Sequence, residues 1–131
     1  MPENKIPLEK DEQKDFFKYA KDLYGIFPLL EFLLFATMSG SWLHGSKTQR
    51  MKQVASEKAQ GRKNGVADVL CLIQKRGYAG LVIEMKRREG GKVSDAQKAW
   101  IAAAEKAGYY TAVCFGSDEA IDTLNYYLEL A

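Results

Sequence analysis

The apolar positions along the chain follow a helical period in some stretches and run together in others. From Lys10 to Tyr24, Phe16, Phe17, Ala20, Leu23 and Tyr24 recur at helical spacing, which predicts a helix with Gly25 as its C-terminal stop. Leu29 to Thr37 is dense in apolar residues and is expected to contain a strand, broken by Ser39-Gly40-Ser41. Ser46-Lys47-Thr48-Gln49 has the form of a capping box, in which a serine and a glutamine three residues on satisfy each other's backbone N–H groups. It opens a polar helix to about Gln60. After a basic loop, Gly61 to Gly65, come two strand-like runs, Val66 to Ile73 and Gly80 to Met85, with Gln74 to Ala79 as a hairpin candidate between them. Gly90-Gly91 marks a turn. Ser94-Asp95-Ala96-Gln97 repeats the capping-box form and opens a helix ending at Gly108. Tyr109 to Phe115 reads as a strand, and Ser117 as the cap of a last helix with Ile121, Leu124 and Leu128 on its apolar face. The predicted order is helix, strand, helix, strand, strand, helix, strand, helix: an α/β fold with a sheet flanked by helices.

Composition narrows this picture. The 131 residues suffice for one domain, 1–131, and neither a repeat nor a linker divides them. Phe27 to Thr37 is too short to span a bilayer and carries Glu31, so no membrane association is expected. The opening Met1-Pro2-Glu3-Asn4-Lys5 lacks the apolar core of a signal peptide, which points to a cytoplasmic protein. Cys71 and Cys114 sit in apolar runs and are expected to be buried, reduced thiols. A net charge of +2 says little about partners, but its distribution says more. Lys47, Arg50, Lys52, Lys58, Arg62 and Lys63 precede Asp68, while Lys86, Arg87, Arg88 and Lys92 follow Glu84. His44 is the only histidine, read as a loop residue, which argues against zinc sites of several histidines and against Ser-His-Asp chemistry.

The candidate chemistry lies between those basic clusters. Side chains alternate along a strand, so in Gly80-Leu81-Val82-Ile83-Glu84-Met85-Lys86 the residues Glu84 and Lys86 share one face while Ile83 and Met85 point into the core. Leu81-Val82-Ile83 is apolar on both faces, as in a central strand, and the abrupt turn to polar residues at its C-terminal end is a usual site location in open α/β sheets. If Asp68 on the neighbouring strand faces them, two carboxylates and one ammonium converge, a set suited to a hard divalent cation and a positioned water. The carbonyl of Met85 offers a third protein oxygen. Lys86 can orient the attacking water and stabilise charge at phosphorus. Gln97 divides evenly between capping its own helix and serving the site, and Trp100, one turn on, reads as core. The acidic residues of the first helix, Glu9 and Glu12, read by themselves as favourable company for its N-terminal dipole.

Taken in order, Gly65-Val66-Ala67-Asp68, Gly80 to Lys86, Gly90 through Ser94 and Gln97 to Trp100, and Ala107-Gly108-Tyr109-Tyr110 resemble the VRR-NUC (virus-type replication-repair nuclease) family of the PD-(D/E)XK nuclease superfamily. The resemblance runs from about Glu9 to the last helix. It implies a restriction-endonuclease-like core, with Asp68 and Glu84 as metal ligands and Lys86 as a catalytic residue. It also implies parts for Gln97 and for a glutamate of the first helix, where Glu9 and Gln13 match a Glu-x-x-x-Gln pattern and Glu12 lies close by. Two departures stand out: Ala67 replaces the usual proline, and Thr37 to His44 replaces a Pro-Asn-Gly-Gly-like segment. The resemblance further implies Mg²⁺ or Mn²⁺ as cofactor, and a homodimer acting on branched DNA, above all four-way junctions, such as small phage-encoded members in an infected bacterial host. Lys47, Arg50, Arg62, Lys63, Arg87 and Arg88 are the expected phosphate-binding residues. The rival expectations are a sequence-specific, restriction-like nuclease and a non-catalytic nucleic-acid-binding module.

Overall fold

A computed structural model describes residues 5–38 and 43–130. In chain order the elements are α1 (Glu9–Lys21), α2 (Leu30–Leu33), β1 (Leu34–Ala36), α3 (Lys47–Ala59), β2 (Val69–Cys71), β3 (Leu81–Lys86), α4 (Asp95–Lys106), β4 (Tyr110–Phe115) and α5 (Ser117–Tyr127). The strands form a mixed sheet in the order β1-β2-β3-β4, with β1, β2 and β3 antiparallel and β3 parallel to β4. The expected α/β architecture with flanking helices is therefore present.

Local chemistry explains most boundaries. Both capping boxes form: Ser46 accepts from the Gln49 N–H and Ser94 from the Gln97 N–H, and each glutamine returns the bond. Four expectations shift. The first helix ends at Lys21, not near Gly25, because the chain tightens into i→i+3 bonds such as Leu23 N–H to the Ala20 carbonyl. The run from Leu29 to Thr37 divides into one helical turn and a three-residue strand. The first strand of the hairpin is ladder-paired only over Val69–Cys71. Ser117 is the first residue of α5 and does not cap it; Gly116 holds the N-cap position without a side-chain bond.

The core lies on one face of the sheet. Phe16 and Ala20 of α1 and Leu124 and Tyr127 of α5 close over Leu81, Ile83 and Met85, all at most 1% exposed. Each large side chain so buried contributes roughly 1.5–3 kcal/mol. On the opposite face α4 brings Trp100 and Ala103 over Leu70 and Val82 around a cavity of about 310 Å³. Trp100 is half-buried there, outside the main cluster. Cys71 and Cys114 are buried and unpaired, and burial raises both thiol pKa values. Among the described residues no helix is long and apolar enough to cross a membrane.

Candidate active site at the end of the central strand

All six residues of β3 are buried, so its period-two alternation separates two environments. Leu81, Ile83 and Met85 belong to the core under α1 and α5, whereas Val82, Glu84 and Lys86 face α4. The β2–β3 ladder stops at Val69↔Ile83. Continuing that register by one residue puts Asp68 directly opposite Glu84, where facing residues bring their Cβ atoms to about 5 Å. With no strand partner left on this edge, the Met85 N–H donates to Asp68 Oδ2 at 2.8 Å. The Met85 carbonyl points to the same edge, since the N–H and C=O of one strand residue share a side. The Asp68 backbone is fixed in turn by Thr37, whose N–H donates to the Asp68 carbonyl at 2.9 Å and whose hydroxyl donates to the Ala67 carbonyl at 2.7 Å.

Gln97 joins the site to its own helix cap. Its Oε1 accepts from the Ser94 N–H at 2.9 Å and from Lys86 Nζ at 3.0 Å, while its Nε2 donates to Glu84 Oε1 at 2.9 Å. Lys86 Nζ lies 3.5 Å from the same Glu84 oxygen. The two alternatives open for Gln97 are thus one arrangement. Gly65 permits it: with φ +78°, it sits where a Cβ would lie 2.4 Å from the Ala96 carbonyl and 2.7 Å from the Gln97 nitrogen. A glycine is the one residue that lets the loop before Asp68 close on the start of α4.

The electrostatics are unbalanced in a way that suits a cation. Glu84 Oε2 is buried and has no hydrogen-bond partner among the described residues. Burial, followed by the nearby charge of Asp68, pushes the Glu84 carboxyl up to about 8, against the opposing pull of Lys86. Two carboxylates facing one another cannot both ionise cheaply without a positive charge between them. Among the described residues no three His, Cys, Asp or Glu side chains cluster as a metal site. The available donors are the two carboxylates and the Met85 carbonyl, an all-oxygen set of the kind that holds Mg²⁺ or Mn²⁺ with water and phosphate completing the shell.

The two glutamates of α1 part company. Glu9 is half-buried at the helix start, and its carboxyl is raised by burial and then by Asp68, while Lys86 lowers it. It therefore lies in the field of the site. Glu12 is 1% exposed and turned away to Arg88, whose hydrogen bond holds its carboxyl below the usual range. Gln13 is half-buried one turn after Glu9.

The basic residues expected to meet phosphate fall into two groups. Lys47, Arg50 and Lys63 make no ion pair among the described residues. Lys47 and Arg50 line an apolar-floored groove on α3 with Met51 and Val54. Lys63 and Arg62 line a cleft of about 410 Å³ with Thr37 and Val66, just before Asp68. Arg62 pairs with Glu57. Arg87 and Arg88 have their donors on protein acceptors. His44 is exposed, with its backbone bonded to the Gln53 side chain. Of the divergent segment Thr37 to His44, residues 39–42 lie outside the described residues. Sequence reasoning missed Thr37, which no motif marks, and the structural role of Gly65, which stood in plain view at the head of Gly-Val-Ala-Asp.

A mixed sheet with helices on both faces, carrying Glu84 and Lys86 at the end of its central strand and Asp68 beside them at the start of β2, defines a nuclease-type α/β core of the PD-(D/E)XK kind. The sequence model of the VRR-NUC domain family matches residues 40–118, more than half of the chain, and the chain belongs to that family. A solved structure described as a VRR_NUC domain protein is similar to it with a TM-score of 0.73 and 25% sequence identity, over 97% of this chain and 93% of that one. No curated protein matches. The family match spans Asp68, Glu84, Lys86 and Gln97 but not Glu9.

Proposed function

We propose that the protein is a metal-dependent endodeoxyribonuclease of the cytoplasm that hydrolyses phosphodiester bonds in branched DNA, four-way junctions above all, as a homodimer. The observation that carries the chemistry is the buried oxygen of Glu84 opposite Asp68, without a hydrogen-bond partner among the described residues and beside a lysine held by Gln97. A Mg²⁺ or Mn²⁺ ion bound by Asp68, Glu84 and the Met85 carbonyl would neutralise the phosphate and lower the pKa of a bound water. The chain's own part is positional. Gln97 fixes the Lys86 ammonium, which orients the attacking water and offsets charge developing at phosphorus. Glu9, whose carboxyl feels the charges of both Asp68 and Lys86, would take up a proton from the water or orient it. In-line attack leaves a 5′-phosphate and a 3′-hydroxyl. One site per chain supports a twofold dimer, because symmetric cleavage of a junction takes two cuts. Lys47, Arg50, Arg62 and Lys63 supply a backbone-reading surface, so recognition rests on shape and phosphate, not on base edges.

The test is cleavage of labelled four-way junction, flap and linear duplex with Mg²⁺, Mn²⁺ or EDTA, with Lys86→Ala alongside. Paired symmetric cuts on the junction, lost in EDTA and in the variant, are expected. Equal cutting of all three substrates would discard junction preference and keep the active site. No cutting with any metal would favour a non-catalytic binding module.

A further inference from the structure

Two consecutive arginines follow Lys86, and both reach back to the chain around Glu9. Arg87 donates through Nε to the Pro7 carbonyl at 3.0 Å and through Nη2 to the Ile6 carbonyl at 2.6 Å, just ahead of α1. Arg88 donates through Nε to Glu12 Oε2 at 2.7 Å and through Nη2 to Glu12 Oε1 at 3.3 Å, a two-pronged grip one turn into α1. Glu9 lies between these two attachments. Ser117, the first residue of α5, donates to the same Glu12 side chain, at Oε1, at 3.4 Å, and Arg88 Nη2 also reaches Asp118 at 3.4 Å. Gly116, at φ +98°, leaves room for the pair: a Cβ there would lie 2.6 Å from Glu12 Oε2 and 2.7 Å from Arg88 Nε. The Gly116 N–H donates to the Lys86 carbonyl at 3.0 Å, so the grip is tied to the backbone of the catalytic strand itself.

Stability alone does not ask for this. Glu12 falls on the stripe that continues through Phe16 and Ala20, both fully buried, where an apolar side chain would pack. Only the carboxylate of this pair is buried and the Arg88 guanidinium stays open to solvent, which limits what the pair adds to stability and leaves fixed geometry as what it supplies. Its two-pronged form sets the angle as well as the distance between α1 and the end of β3.

We propose that Arg87, Arg88 and Glu12 are positioning residues for the nuclease site: they hold the first turn of α1 on both sides of Glu9, and so keep Glu9 at the end of β3. Two of the cations that follow the motif thus set active-site geometry in place of gripping DNA. This rests on the nuclease reading above, and the experiment separates the two.

Arg88→Lys, Glu12→Gln and Arg87→Ala are made singly and each together with Glu9→Gln. Cleavage of a labelled junction with Mg²⁺ is followed for kcat and KM, and amide hydrogen exchange is followed over the segment 6–16. Arg88→Lys keeps the charge but loses the fork, and is expected to lower kcat by about 10- to 100-fold, as removing a supporting partner around a metal site does. KM and its salt dependence stay within about twofold, and the loss nearly vanishes in the Glu9→Gln background, because the arginine acts through Glu9. The Asp11 and Glu12 amides, which donate to the Leu8 carbonyl, exchange about tenfold faster. A kcat loss that multiplies with that of Glu9→Gln, or a raised KM with a flatter salt slope, would overturn the proposal. If the wild type cuts nothing, the nuclease reading fails, and exchange still decides the clamp: unchanged protection in the variants overturns it. Should the Arg88 and Glu12 variants fail to fold, Arg87→Ala, whose partners are backbone carbonyls near the surface, carries the same two readouts.

Discussion

The chain contains the same four-residue device twice. Ser46-Lys47-Thr48-Gln49 opens α3 and Ser94-Asp95-Ala96-Gln97 opens α4, and both close as reciprocal capping boxes. Gln49 Oε1 accepts from the Ser46 N–H at 2.7 Å, and among the described residues no hydrogen bond joins its side chain to a charged group. Gln97 Oε1 accepts from the Ser94 N–H and also from Lys86, while its amide reaches Glu84. A capping glutamine has one carbonyl with two lone pairs and an amide with two donors, and the box uses only one of these sites. What the remaining sites do depends on what stands beside the helix. Neither helix has a fully buried residue, but α4 packs against β4 with its first turn beside the polar end of β3, whereas α3 makes no substantial contact with another element among the described residues. The lesson is that a local motif and a functional contact can occupy one side chain without competing.

Mutations sharpen the contrast, beginning at the site it leads to. Asp68→Ala, Glu84→Ala or Lys86→Ala is expected to reduce cleavage by about 10³-fold or more while DNA binding persists, since the ligands and the ammonium are removed but the basic surface is not. A gel-based cleavage assay beside a binding assay checks this; a variant that retains a tenth of wild-type rate contradicts the assignment.

The paired substitution Gln97→Ala and Gln49→Ala tests the comparison itself. Gln97→Ala is expected to lower kcat by about 10- to 100-fold, because Lys86 and Glu84 lose the group that holds them. Gln49→Ala should leave kcat unchanged. Each loses a backbone cap and no more than about 1 kcal/mol of stability by chemical denaturation. Equal effects on cleavage would mean that Gln97 is only a cap.

Gly65→Ala acts from the other side of the same junction between loop and helix. The added Cβ collides with the backbone of Ala96 and Gln97, so a loss of about 1–3 kcal/mol is expected together with reduced cleavage. Gly61→Ala, where a Cβ meets nothing within 4 Å, carries the backbone strain of its positive φ without the collision and serves as the control.

Stability against pH is a subtler readout. Glu84 binds its proton more tightly in the folded protein than in the unfolded chain, its carboxyl being raised from 4.5 to about 8. Between those values the folded state holds a proton that the unfolded state has released, so stability of the metal-free protein falls as pH rises through this window. Denaturation midpoints at pH 5.5 and 8 in EDTA should show the fall, and Glu84→Gln or added Mg²⁺ should flatten it. A midpoint that rises with pH in EDTA would place the proton elsewhere. The smallest effect falls on α3 and its following loop: neutralising Lys47, Arg50, Arg62 and Lys63 should weaken DNA binding and reduce the salt slope by about 0.9 for each phosphate that is no longer neutralised. An unchanged slope would put DNA on another face.

The sequence by itself determined whatever depends on neighbours along the chain. Alternation within Leu81 to Lys86 was enough to separate Ile83 and Met85 from Glu84 and Lys86, and the two capping boxes marked the starts of α3 and α4 within a residue. Those features follow from local geometry with a fixed period. Only the tertiary structure decided which residues meet across the fold. It set Asp68 opposite Glu84, because the β2–β3 register comes from pairing along the whole hairpin. It separated Glu9 from Glu12, three residues apart on one helix, because the choice depends on where Arg88 arrives from the turn after β3. It also committed Arg87 and Arg88 to protein acceptors, when their place in a basic run suggested phosphate. A charge in a sequence has no partner until the chain has folded; the same Coulomb and desolvation terms that make a cation facing solvent a phosphate ligand make one that meets a buried carboxylate a clamp.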